Sequence, residues 1–108
     1  MYKAILDFCF KEVGSQQFFE KDADFDKLLI ERYSELLEQA AASELYKWRC
    51  SIEGRLAEII VLDQFSRNIY RDTPAAFAQD SMALALAQEA VTAGALEILE
   101  TVEARTFI

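Results

Sequence analysis

The chain has 108 residues, 53% of them hydrophobic, with three glycines and one proline. A chain of this length can bury a core of its own, so we expect residues 1–108 to form a single domain without a metal or disulfide framework. Its 19 acidic and 11 basic side chains give a net charge of −8. This charge excludes a general affinity for nucleic acid, because no basic surface is available to follow a phosphate backbone.

The cysteines and the apolar runs indicate a soluble protein of the cytoplasm. Cys9 and Cys50 lack the spacing of a metal site, and no secretory leader precedes them. We expect both to be reduced, buried thiols. The longest apolar runs, such as 59–62, are far shorter than the roughly 18 to 20 residues that cross a bilayer, so no membrane segment is predicted.

Two amphipathic helices are predicted in the first half of the chain. The first runs from Tyr2 to Gly14, where the glycine interrupts an apolar stripe. The second begins at Asp22 or Asp24, since either carboxylate can accept hydrogen bonds from the first backbone N–H groups. Its buried face follows from apolar residues at helical spacing, which are Phe25, Leu29, Tyr33, Leu36, Leu37 and Ala40.

A third helix is predicted to begin near Glu53 and to run towards Phe65. The segment 59–62 within it is apolar on every side, which is also compatible with a buried strand. The flanks lack alternation and no partner strand is evident, so a buried central helix is favoured.

A fourth helix is predicted to begin at Thr73 and Pro74, because the hydroxyl can cap free N–H groups and proline loses no hydrogen bond at that position. The helix either breaks at Asp80 or continues to Gly94, a suitable left-handed stop. Small residues at helical spacing would let another helix approach closely, and these are Ala83, Ala87, Ala90 and Gly94.

The residue inventory excludes several kinds of catalytic site. The chain contains no histidine, so Ser-His and Cys-His arrangements and histidine metal ligation are absent from it. Asp22, Asp24 and Asp26 begin like a calcium-binding loop, but Lys27 and Tyr33 stand where such a loop needs glycine and glutamate. We interpret the three carboxylates as a helix N-terminus and predict no metal and no cofactor.

Polar side chains gather after the most apolar predicted helix and are the leading candidates for a ligand-binding site. They are Asp63, Gln64, Arg67, Asn68, Arg71 and Asp80. On a continuing helix Asp63 can pair with Arg67, and Gln64 with Asn68. The structural interpretation is that these groups satisfy one another at a buried helix junction.

Two functional interpretations of the same side chains stay open. In one, the planar guanidinium groups of Arg67 and Arg71 hold a carboxylate or phosphate. In the other, Asp63 or Asp80 acts as a general acid or base. Trp48 is a further ligand-binding candidate, although filling the junction between the second and third helices is the more common role for a large aromatic side chain.

The stretch LDQFSRNIYRDTPAAFAQD resembles the bacterial domain-of-unknown-function family DUF924. The similarity extends to ILDFCF, FFEKDADFDKLLIERY and GRLAEIIVLDQF, and so covers nearly the whole chain. It implies an all-α fold, an α-α superhelix like that of tetratricopeptide proteins with about four to five helices here, and no established activity. It also implies that this chain is the N-terminal portion of a longer helical fold.

The sequence departs from the usual residues of that family at several positions. The resemblance implies glycine where Ser43 and Asp72 stand, leucine where Glu58 stands and proline where Ser66 stands. The turn geometry between Ser66 and Asp72 therefore stays open.

Three classes of function are compatible with the sequence. The leading hypothesis is a binding or scaffold module whose polar cluster orients a peptide, a protein or a small anionic ligand. The first alternative is an enzyme that uses Asp63 and Asp80, with a metal ion or with residues of a longer chain. The second is a structural domain that forms a homo-oligomer through the apolar tail 102–108.

Overall fold

The computed structural model describes residues 2–14, 17 and 21–94, and the fold of these residues is all-α, as predicted. The α-helices are α1 Tyr2–Asp7, α2 Ala23–Ala41, α3 Ile52–Ile60, α4 Ser66–Ile69 and α5 Asp80–Thr92. Short 3-10 helices occupy Tyr46–Cys50 and Pro74–Phe77. The tetratricopeptide-like superhelix and the single domain of residues 1–108 stay predictions.

Two of the α-helices continue as π-helix. The wider turns cover Phe8–Val13 after α1 and Val61–Phe65 after α3. Because the backbone stays right-handed helical on both sides of Val61–Phe65, residues 52–69 form one continuous helix, which we call the central helix. The apolar segment 59–62 lies inside it and is fully buried, so the prediction of a buried central helix is confirmed.

Side-chain caps explain where α2 and the central helix begin. The carboxylate of Asp22 accepts hydrogen bonds from the backbone N–H groups of Asp24 and Phe25, at 3.0 and 3.2 Å. The Ser51 hydroxyl accepts a hydrogen bond from the backbone N–H of Gly54 at 3.0 Å. The central helix begins at Ile52, directly after Ser51. Both side chains are of the types that satisfy free N–H groups at helix starts.

The predicted fourth helix breaks before Asp80, which is the first residue of α5. The predicted cap at Thr73 was wrong: its hydroxyl donates to the carbonyl oxygen of Tyr70 at 2.7 Å and caps no N–H group. That carbonyl belongs to the turn that ends α4, so the hydroxyl is bonded back to the preceding element and not to the helix that follows. At the other end of α5, Gly94 has a φ of 92°, in agreement with the predicted left-handed stop.

An aromatic cluster joins the helices at the centre of the core. The ring of Phe8 lies 5.1 Å from that of Tyr33 and 6.3 Å from that of Phe65, and the last two rings are 5.1 Å apart. These rings come from the helical segment after α1, from α2 and from the central helix. On the far side, α5 packs against α3 through small buried residues, as its alanine strip predicts, and these are Ala83, Ala87 and Ala90.

The two thiols differ in environment. Cys9 is buried in the core, as predicted, and burial raises its pKa to about 12. Cys50 is exposed, so the prediction of a buried thiol was wrong there, because the 3-10 helix Tyr46–Cys50 ends at the surface. None of the helices in the described ranges is long and apolar enough to cross a membrane.

A buried ion pair fastens the 3-10 helix Tyr46–Cys50 to α3. Arg49 donates to Glu58 through Nε and Nη2, each 2.8 Å from a carboxylate oxygen. The side chain of Glu58 is 1% exposed and that of Arg49 is 29% exposed. The two-pronged geometry supplies the charge-assisted hydrogen bonds that a buried carboxylate requires.

The unequal burial of this pair predicts unequal effects of removing either partner. Arg49→Ala leaves a buried carboxylate without its cation and should lower the free energy of unfolding by about 3 to 5 kcal/mol. Glu58→Leu leaves an arginine that can reach water and fills the space with apolar atoms, so the loss should stay below about 1 kcal/mol. Urea unfolding followed by circular dichroism measures both, and equal losses would contradict this account.

Within residues 2–14, 17 and 21–94, two non-glycine residues have left-handed backbone conformations. Ser43, after α2, has a φ of 61°, and Asp72, after α4, has a φ of 65°. These are the two positions where the family resemblance implies glycine. A side chain destabilises this conformation because its Cβ approaches the backbone too closely, whereas glycine has no Cβ.

We therefore predict that Ser43→Gly and Asp72→Gly each raise the free energy of unfolding by about 0.5 to 1 kcal/mol. The matched control is Ser34→Gly inside α2, which should lower it by a similar amount, because glycine weakens a helix interior. Thermal unfolding of the three variants makes the comparison. A loss of stability in the Ser43→Gly variant would show that the serine side chain stabilises the fold by more than its left-handed backbone conformation destabilises it.

Candidate ligand-binding groove

An open groove runs between the central helix and α5. Its volume is about 310 Å³. The residues that line it are Ile59, Asp63, Arg67, Asp80, Ala83, Leu84 and Ala87. Its floor is apolar and its charged side chains come from both helices. We call it the Asp63 groove.

Arg67 lies between two carboxylates in this groove. Its Nη2 atom is 3.2 Å from Oδ1 of Asp63, which confirms the predicted pair, and 3.5 Å from Oδ1 of Asp80. The guanidinium carbon also lies 5.4 Å from the centre of the Phe77 ring. Because the side chain of Arg67 is 46% exposed, these ion pairs contribute little to stability and can exchange for contacts with a ligand.

Asp63 is less accessible than its partners. Burial raises the pKa of its carboxyl, and the nearby charge of Asp80 acts in the same direction, while Arg67 and a hydrogen bond from Gln64 oppose the rise. The hydrogen bond from Nε2 of Gln64 to Oδ2 of Asp63 measures 2.8 Å. The residue lies in the π-helical part of the central helix, and single π-helical turns inside α-helices are frequent at functional sites.

Asn68 and Arg71 make a different contact, with Asp26 of α2. Asn68 donates to Oδ1 of Asp26 at 3.0 Å, and Arg71 donates through Nε at 2.6 Å and through Nη2 at 3.2 Å. Asp26 and Asn68 are both buried. The predicted Gln64–Asn68 pair was therefore wrong, because Asn68 finds a charged acceptor across the helix interface, which is a stronger partner than a neutral amide.

Comparison with known proteins places the chain in a family. Residues 5–108 match the model of the family described as bacterial protein of unknown function, DUF924. The chain belongs to the DUF924 family. It is similar to a solved structure, the protein of unknown function ATU0120 from Agrobacterium tumefaciens, with 34% identity and a TM-score of 0.88. That match covers 98% of this chain and 60% of the other, so this chain spans 60% of the length of that relative. No functionally curated protein matches it.

Within this DUF924 chain, Trp48 is separate from the Asp63 groove. It lies in the 3-10 helix Tyr46–Cys50, partly buried, with its ring 6.2 Å from that of Tyr2. A side chain on Gly54 would clash with the Trp48 carbonyl oxygen, so the tryptophan sits at the start of α3. Asp63 is about two and a half helical turns further along. Filling the junction between the second and third helices stays a prediction for Trp48, since its ring contact is with Tyr2 of α1.

The carboxylates that begin α2 serve the fold. Asp22 caps the helix, and Asp26 binds Arg71 and Asn68. In the described ranges, no three Cys, Asp or Glu side chains come together in a way that could hold a metal ion.

Sequence reasoning missed Asp26 as a partner of the polar cluster, although a signal was present. Asp26 precedes Leu29 by three residues and Tyr33 by seven, so it lies on the apolar face of the second helix. A carboxylate on such a face needs a cation, and an unassigned arginine elsewhere in the chain is the natural partner.

The two arginines that the sequence grouped together should respond differently to substitution. Arg71→Ala leaves the buried carboxylate of Asp26 with Asn68 as its remaining partner in the described contacts, and should lower the free energy of unfolding by about 2 kcal/mol or more. Arg67→Ala should change it by less than about 1 kcal/mol, because its ion pairs are exposed. Chemical unfolding of both variants tests this contrast, and a reversed order would contradict the assignment of Arg71 to the junction.

Proposed function

We propose that this DUF924 chain is a binding module that holds a peptide segment of another protein in the Asp63 groove. The observation that carries the proposal is the convergence of Asp63, Arg67 and Asp80 on one open groove with an apolar floor. Binding sites commonly combine an apolar surface with a few polar groups that fix orientation.

The charges of the groove favour a peptide over the small anion that the sequence also allowed. Two carboxylates, Asp63 and Asp80, surround one guanidinium, that of Arg67. An incoming carboxylate or phosphate would have to displace one of them and would still face the other. A peptide can instead offer backbone N–H groups or a basic side chain to the carboxylates while its apolar atoms cover the floor.

The elements around the groove are suited to present a fixed surface. The floor residues Ile59, Ala83 and Ala87 lie where α3 and α5 pack together. The end of the central helix is fastened to α2 by the contact between Arg71 and Asp26. A site built on packed helices keeps its geometry when unoccupied, which reduces the entropy lost on binding.

An enzyme is the second candidate. Asp63 and Asp80 both reach the same guanidinium nitrogen, and burial raises the pKa of Asp63, the direction of shift that favours a general acid. Of the lining residues that the structure describes, none is a Ser, Thr, Cys or Lys that could act as a nucleophile. A binding function needs no such group, which is why we place it first.

The proposal includes a cytoplasmic location and a tetratricopeptide-like superhelical arrangement of the helices. Both cysteines are free thiols, which fits a reducing compartment. Homo-oligomerisation stays a separate prediction, since the apolar tail 102–108 on which it depends lies outside the described residues.

Selection from a displayed library of random peptides of about 16 residues, long enough for four helical turns, tests the binding function. The selected peptides are then measured against Asp80→Arg, which places a second guanidinium beside Arg67. Glu31→Arg is the matched control, because it makes the same change of charge on the exposed face of α2.

We expect the selected peptides to bind the unsubstituted chain and the Glu31 variant alike, and to bind the Asp80 variant about tenfold or more weakly. That loss corresponds to one charge-assisted hydrogen bond. The proposal fails if no peptide is enriched, or if the enriched peptides bind the Asp80 variant as tightly as the unsubstituted chain.

A further inference from the structure

We infer that the partner of the Asp63 groove is an amphipathic helix that places an arginine or lysine between Asp63 and Asp80 and its apolar face along α5. This inference rests on the proposed binding function and deepens it by naming the chemistry of the partner. It draws on the apolar residues beside the groove, on their spacing and on the balance of charge within it.

Three large apolar side chains beside the groove face solvent. Phe77 and Leu84 are each 60% exposed, and Val91 is 45% exposed. We call them the apolar rim. Leu84 lines the groove, and Phe77 touches Arg67, so the rim and the groove form one continuous surface. Large exposed apolar side chains next to charged groups are typical of surfaces that bind another protein.

The spacing of the rim matches a helix. Leu84 and Val91 are seven residues apart in α5, so they lie on one side of that helix about 10 Å apart. Phe77 belongs to the preceding 3-10 helix and joins this surface through its contact with Arg67. A partner helix presents side chains at positions i, i+3 or i+4, and i+7 with this same repeat, which lets the two apolar stripes interdigitate. An extended peptide gains its affinity from the edge of a sheet, and the described ranges contain no strand.

The charges specify a basic residue at the centre of that helix. Among the described residues, the groove has two carboxylates and one guanidinium, a balance of one negative charge. Asp80 is 42% exposed and can turn towards an incoming side chain without losing a buried contact. The net charge of −8 attracts a basic partner over a long range and speeds its association.

The same charge counts against the other occupants. A second copy of this chain also carries −8 and would be repelled when it approaches the groove. A membrane surface rich in anionic lipid would be repelled in the same way. A basic amphipathic helix can cover the apolar rim and also place a cation beside Asp63 and Asp80.

Two designed peptides of about 18 residues, alike except at one position, test the inference. Both are helix-forming, with leucine at i, i+3 and i+7 facing α5, and the residue that faces the groove is arginine in one and glutamate in the other. Fluorescence anisotropy with the full chain measures their dissociation constants, and circular dichroism follows peptide helicity. We expect the arginine peptide to bind at least about tenfold more tightly, to become more helical on binding and to weaken as salt rises.

Two sets of variants locate the contact. Asp80→Asn should bring the arginine and glutamate peptides closer to equal affinity. Leu84→Gln with Val91→Gln should weaken the arginine peptide about tenfold or more, since both apolar contacts are lost. The control is Leu28→Gln with Ile30→Gln, which removes two similarly exposed apolar side chains from α2 and should leave binding unchanged.

The outcomes separate this inference from the proposed function. If library peptides depend on Asp80 but have no helical periodicity or no basic residue, the groove binds peptides and the helical partner is wrong. Equal binding of the arginine and glutamate peptides, or an unchanged affinity of the Leu84 and Val91 variant, also overturns the inference. Self-association of the chain that this variant abolishes would assign the rim to a second copy. If no peptide depends on the groove, both proposals fall.

Discussion

Asp26 is a carboxylate on the buried face of α2, and a charge in that position destabilises the fold unless a cation and hydrogen-bond donors reach it. Arg71 and Asn68 supply them, and in doing so they fix the end of the central helix against α2. The groove depends on this contact, because Arg67 lies in the last turn of the central helix and Arg71 follows shortly after the end of that helix. Arg71 is therefore held in the contact with Asp26, whereas Arg67 lies in the open groove.

Two other features show how the fold accommodates unfavourable residues. Glu58 stands at a buried position where the family resemblance implies leucine, and Arg49 satisfies both of its oxygens. Ser66 is buried where the resemblance implies proline, and its hydroxyl has no hydrogen-bond partner among the described contacts. The buried carboxylate of Glu58 is compensated by its pairing with Arg49. The buried hydroxyl of Ser66 is a polar atom that proline would not place there.

Local spacing in the sequence was sufficient for the first three predicted helices and for part of the site. The apolar run 59–62 located the central helix, Asp22 located the start of α2, and the four-residue spacing gave the Asp63–Arg67 pair. The partner of Arg71 is 45 residues away in the chain, and no local pattern connects the two. Likewise, the exposure of Cys50 depends on where a 3-10 helix ends, which is set by packing and not by periodicity.

The π-helical segment Val61–Phe65 has a consequence for how the central helix is phased. A π-helical turn contains one residue more than an α-helical turn, and each residue of an α-helix rotates the chain by about 100°. Loss of a single residue there would restore regular α-helix and rotate α4 by that angle relative to α3. Arg67 would then leave Asp80 and Arg71 would leave Asp26 in the same step. One extra residue thus keeps the groove and the junction in register with each other, so deletions in this segment should be tolerated far less well than substitutions.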